Sequence, residues 1–164
     1  MIIIGIDPGT ATAGYGVVHS SAGRLRALEY GTIRTPPRQG LPLRLKSIYT
    51  EITAVLDRYS PDVMAVEQLF FNRNVTSALS VGQARGIFLL AAAQSGLKVA
   101  EYTPPEVKQS VTGDGGADKA QIAFMVRALL GLRETPRPDD AADALAIAIC
   151  HAHTSATAAR IAGS

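Results

Sequence analysis

The chain has 164 residues, 47% of them apolar and 18% charged, and a formal net charge of +2. That balance suits one folded domain with one core and excludes a disordered chain, while so small a charge does not by itself point to nucleic acid. A single cysteine, Cys150, excludes an internal disulfide and fits a reducing compartment as a small buried apolar residue.

The N-terminus has no basic n-region, and no uncharged apolar run reaches the ~18 residues of a membrane span. The expectation is a cytoplasmic protein without a membrane. Ile2, Ile3, Ile4 and Ile6 form a nearly continuous apolar run, the pattern of a strand covered on both faces. Asp7 ends it and Pro8-Gly9 turns the chain. A carboxylate at the tip of a buried strand loses hydration and needs partners; nucleating the turn is the plain alternative. Residues 14–19 and 25–33 read as two more strands of an antiparallel meander. Gly5, Gly9, Gly14 and Gly16 leave room either for a phosphate backbone or for close packing. Pro42 opens a helix whose apolar residues, from Leu41 to Tyr59, keep helical spacing. Arg44 and Lys46 lie at its start, and six basic residues stand against one acid, Glu29, between Arg24 and Lys46.

Residues 62–67 read as a fourth strand, ending on Glu67. The loop after it carries Phe70, Phe71 and Arg73; one ring suits stacking on a base or insertion between bases, and packing on the next helix competes with that. A helix over 75–94 has a face of small residues fit for an internal contact or a homodimer, and carries Arg85, a candidate DNA contact like Arg73. Residues 97–102 form a fifth strand, so the sheet is partly parallel. Thr103 with Glu106, and Asp118 with Gln121, are capping pairs for two further helices. Lys108 and Lys119 flank the glycine-rich loop between them. The last helix opens with Asp139, Asp140 and Asp143 and ends near His151 and His153, where cationic imidazole suits the dipole. The expected division is one domain over 1–153 and a loosely ordered tail over 154–164.

Three distant elements thus deliver Asp7, Glu67, Asp140 and Asp143. Asp140 and Asp143 are three residues apart and share a helix face. The helix dipole explains Asp139 and Asp140 equally well, but Asp143 less so. Four carboxylates brought together need protons or cations between them, and Mg²⁺ suits a few carboxylates plus a substrate phosphate.

These residues carry a resemblance over nearly the whole chain. Gly5-Ile6-Asp7-Pro8-Gly9, Val66-Glu67-Gln68, Ser77-Ala78-Leu79 with Gly82-Gln83-Ala84-Arg85-Gly86, Val107-Lys108-Gln109 and Asp140-Ala141-Ala142-Asp143-Ala144-Leu145 resemble the RuvC-type Holliday junction resolvases of the RNase H-like superfamily. The resemblance implies an RNase H-like α/β fold with a five-stranded mixed sheet flanked by helices. It implies catalytic, metal-holding roles for Asp7, Glu67, Asp140 and Asp143, with Asp139 as an extra neighbouring acid. It places Lys108 and Lys119 near DNA and Phe70, or Phe71 beside it, at the junction centre. It further implies Mg²⁺ or Mn²⁺, a homodimer, four-way junction DNA as substrate, a RuvA–RuvB branch-migration partner and a short preferred cleavage sequence. The expected chemistry is phosphodiester hydrolysis with two metals about 3.5–4 Å apart. An ATP-binding protein of the actin, Hsp70 and sugar-kinase type also opens on a strand, an Asp and a Gly-Thr turn, but needs two lobes. A non-enzymatic junction binder would have no use for four acids.

Overall fold

Ile3, Ile4 and Ile6 are fully buried although successive side chains on a strand point to opposite faces, so both faces of the strand are covered. The computed structural model describes residues 1–69 and 75–162. It consists of β1 (Ile2–Asp7), β2 (Thr12–Ser21), β3 (Arg24–Arg34), α1 (Leu41–Tyr59), β4 (Val63–Glu67), α2 (Val75–Gln94), β5 (Lys98–Tyr102), α3 (Pro104–Thr112), α4 (Lys119–Leu130) and α5 (Asp139–Ala162). The strands form one five-stranded sheet in the order β3-β2-β1-β4-β5. β3, β2 and β1 are antiparallel; β4 and β5 run parallel to β1. This is the mixed RNase H-like sheet that the sequence implies. The Asp62 carboxylate accepts a hydrogen bond from the Ile2 amide at 2.6 Å and so helps fix the register of β4 on β1.

Alternation along the strands sorts the core into two layers. Ile4, Ile6, Val17, Met64 and Val66 pack under α1 and α2. Ile3, Val18, Val63 and Ala65 pack under α3, α4 and α5. Ala84, Phe88, Ala91 and Ala92 are the buried side of α2. By length and hydropathy alone α2 is able to cross a bilayer, yet one side of it is in the core and Arg85 on it pairs with Glu101 of β5 at 2.7 Å.

The capping pairs hold: Thr103 and Glu106 form a capping box on α3, and Asp118 and Gln121 one on α4. The expected end of the last helix needs correction: it continues through Ala162 in a segment rich in alanine, with the Thr154 and Thr157 hydroxyls donating to the carbonyls of Cys150 and His153. His151 and His153 therefore lie within α5, not at its end. His151 Nδ1 meets the Tyr102 hydroxyl at 2.7 Å, and His153 Nδ1 stands 3.0 Å from the Ser110 carbonyl, tying α5 to β5 and α3.

Candidate active site

Parallel pairing puts the C-terminal ends of β1 and β4 on one edge. Ile6 is the register partner of Val66, so Asp7 and Glu67 are the next residues on neighbouring strands. The pleat turns both toward the α5 layer, the side of Ile3, Gly5, Val63 and Ala65.

The third contribution depends on how closely α5 approaches. A Cβ on Gly5 would lie 2.0 Å from the Ala144 carbonyl oxygen, and one on Gly14 would lie 1.9 Å from that of Asp140. Gly14 is the cross-strand partner of Asp7. Bare backbone on the sheet and alanines on the helix let α5 lie directly on the strands. That close approach sets the first turn of α5 beside Asp7. Packing, the plainer of the two sequence alternatives, thus accounts for Gly5 and Gly14.

Asp7, Glu67 and Asp143 line one cavity of about 310 Å³ together with Lys108 and Lys119, and Val107, Ile122 and Ile147 supply apolar walls. The electrostatics follow from the burial. Burial above all, then repulsion from Asp143, Asp140 and Glu67, pushes the Asp7 carboxyl up to about 7. Glu67 is raised by burial and by Asp143. Asp143 is also raised by burial, against the opposing pull of Lys119. Lys119 Nζ stands 3.6 Å from Asp143 Oδ2, and its ammonium is held above the ordinary range chiefly by that acid. The site carries more negative charge than its lysines offset.

Oxygen-only donors, partly desolvated and mutually repelling, fit a hard divalent cation. Among the described residues no three His, Cys, Asp or Glu side chains already close around one point. The acids ring a cavity instead, which suits an ion that takes few carboxylates and fills its shell with water and phosphate.

Of the four expected acids, Asp7, Glu67 and Asp143 share the cavity. Asp140 is next to it: its charge acts on Asp7, but with Asp139 it lines an adjoining cavity beside Arg34, Arg137 and Pro138. Lys108 and Lys119 come within the acid site itself. Arg85 does not line this cavity. Its side chain is 15% exposed, pairs with Glu101, and places Nε 3.4 Å from the Glu67 carbonyl oxygen. An arginine so engaged buttresses the end of β4. Phe70, Phe71 and Arg73 lie outside the described residues. Sequence reasoning missed Val107 and Ile122 as cavity walls, since helical apolar spacing marks them only as core.

Comparison with known proteins gives the family. The model of the family described as Crossover junction endodeoxyribonuclease RuvC matches residues 3–151. The chain belongs to the RuvC family. The RuvC protein of Desulfitobacterium hafniense is 60% identical over 154 residues, 94% of this chain and 93% of the relative. That of Syntrophomonas wolfei is 56% identical over 154 residues, 94% of this chain and 90% of the relative. Thermus thermophilus RuvC, solved in complex with a Holliday junction substrate, superposes with a TM-score of 0.92 at 42% identity, covering 96% of each chain.

Proposed function

We propose that Asp7, Glu67, Asp140 and Asp143 are the catalytic, metal-holding residues of a Holliday junction endonuclease. The chain is an endodeoxyribonuclease of the RuvC family and resolves Holliday junctions by metal-dependent phosphodiester hydrolysis. The single observation that carries the residue assignment is the meeting of Asp7, Glu67 and Asp143 on one cavity with Lys108 and Lys119. Mg²⁺ or Mn²⁺ held there, two ions per site, would activate the attacking water and offset charge on the leaving 3′ oxygen.

The chain's own residues set the rest. Asp7 lies between Glu67 and the α5 turn, so it is the carboxylate best placed to face both halves of the site. Glu67 and Asp143 bound the cavity on either side, and Asp140 adds charge from the adjoining turn. Lys108 and Lys119 attract a backbone phosphate and hold it over the acids. The apolar walls limit water around the reacting group. No side-chain nucleophile is required.

The exposed side of α2 supports a homodimer: Val75 is 74%, Leu79 61% and Leu90 47% exposed. A two-fold dimer sets two sites on strands of one four-way junction and accounts for paired, symmetric cuts. In this reading RuvA–RuvB is the branch-migration partner, the compartment is the cytoplasm, and residues 1–153 are the nuclease domain.

The test is incubation of the purified protein with a synthetic four-way junction and Mg²⁺ or Mn²⁺, with linear duplex as control. Paired symmetric nicks in the junction alone are expected. Asp7→Asn is expected to bind the junction and not cut it; substantial cutting by that variant would remove Asp7 from the mechanism.

A further inference from the structure

Beyond the acid site, a second group of charges has no acidic partner among the described residues. Arg34 at the end of β3, Arg127 on α4, and Arg133 and Arg137 in the link to α5 lie around two neighbouring cavities that share Arg137. Tyr30 and Glu134 border one of them. Asp139 and Asp140 border the other, so the cluster abuts the first turn of α5. None of the four arginines forms an ion pair with an acid among the described residues, although Glu134 lines the same cavity as three of them. Arg34, Arg133 and Arg137 are exposed. Arg127 is fixed by its own helix, its guanidinium carbon 5.4 Å from the centre of the Phe124 ring.

Four guanidinium groups from three separate segments outnumber the acids on the same cavities, Glu134, Asp139 and Asp140, and leave an excess of positive charge there. Their fork of donors matches phosphate oxygens, and Arg is weakly hydrated enough to release water on pairing. Small anions alone would leave the width of the surface unused: the two cavities are about 550 and 590 Å³ and open side by side. A polymer with phosphates in series fits that surface. The first turn of α5 borders both this cluster and the acid cavity. A duplex arm that leaves the acid site on this side meets the arginines.

We infer that Arg34, Arg127, Arg133 and Arg137 form a phosphate-binding surface for a duplex arm of the junction, distinct from the lysines at the cut. This rests on the junction-cleaving reading of the acid site. The surface positions DNA through its backbone and reads no bases. Each phosphate it neutralises adds to the salt dependence of binding, whereas chemistry at the acids is untouched.

The experiment compares the unaltered protein with Arg127→Gln/Arg133→Gln, on the cavity that none of the four acids lines, and with Arg24→Gln/Arg26→Gln at the far end of the β2–β3 hairpin as a variant of equal charge. Junction binding is measured with Ca²⁺ in place of the catalytic metal, across a salt series. Cutting is then measured at saturating protein with Mg²⁺. Expected for Arg127→Gln/Arg133→Gln is a log–log salt slope shallower by about 1 for each phosphate no longer neutralised, weaker binding by about tenfold or more near physiological salt, and an unchanged rate at saturation. The far variant keeps the original slope. Equal slopes in all three proteins, or equal losses of affinity in the two variants, overturn the inference while leaving the nuclease reading intact. No junction binding by the unaltered protein overturns both. Unchanged melting temperatures show that both variants are folded, and Arg34→Gln gives a second change of slope from the other cavity.

Discussion

Asp7 is where burial and charge act most strongly on one group. Its carboxyl is pushed up to about 7, first by burial and then by Asp143, Asp140 and Glu67. The folded protein therefore holds that proton more tightly than the unfolded chain, whose value is near 3.8. The stability it contributes is fully present below about pH 3.8 and is lost as pH rises to and through about 7. Metal-free protein is expected to melt at a lower temperature at pH 8 than at pH 5.5, with Glu67 and Asp143 shifting in the same sense. Asp7→Asn, neutral at every pH, should flatten that slope and stabilise the metal-free protein at pH 8 by roughly 1–3 kcal/mol. Thermal melts across pH with EDTA check this; an unchanged slope in the variant would mean that Asp7 is not the titrating group. Because cation and proton compete for the same oxygens, Mg²⁺ should raise the melting temperature more at pH 8 than at pH 6. Arg85 makes a second case at this scale. Its ion pair with half-exposed Glu101 and its approach to the Glu67 carbonyl predict that Arg85→Gln costs about 1 kcal/mol of stability. The salt slope of junction binding should stay as it is, since the side chain has no free cation to offer a phosphate.

Among the elements, α5 decides the site. It supplies two acids and most of one core layer, with Ala141, Ala144, Leu145, Ala148 and Ile149 buried. Its distance from the sheet is set by glycines beneath it. Gly5→Ala would place a methyl 2.0 Å from the Ala144 carbonyl oxygen and 2.8 Å from the Ala148 nitrogen, atoms that move only if the helix moves. The expected cost is about 1–3 kcal/mol or more, with a loss of cutting beyond what the stability change explains, because Asp140 and Asp143 ride on the displaced helix. Gly14→Ala, against the Asp140 carbonyl itself, should impair cutting at least as much. Denaturant melts and single-turnover cleavage of the two variants provide the check. Wild-type cleavage in either would show that the close approach of α5 is not needed to place the acids.

For the molecule as a whole, α2 presents apolar residues that its own chain leaves uncovered, Val75, Leu79 and Leu90 among them. Leu79→Glu is expected to shift the protein to monomer in sedimentation and to convert paired cuts into single nicks. Dimers that persist with Leu79→Glu would move the interface elsewhere. How much of this was legible beforehand differs by feature. The apolar run of β1 with Asp7 at its end, the second run ending in Glu67, and the capping pairs Thr103/Glu106 and Asp118/Gln121 are local patterns, and each appears in the structure where the residues place it. Local pattern misled at the C-terminus, where α5 continues through Ala162 and carries His151 and His153 in its interior. Strand periodicity, helix caps and strand-end carboxylates are written in neighbouring residues, so most elements, the partly parallel sheet and the candidate acids could be read from the chain alone. The folded arrangement was needed to show that Gly5 and Gly14 seat α5 on the sheet, that Lys108 and Lys119 share the acid cavity, that Arg85 is engaged by Glu101, and that four arginines gather beside α5 with no acid paired to them among the described residues. Those facts depend on which distant segments meet, and spacing along the chain holds no record of distance across it.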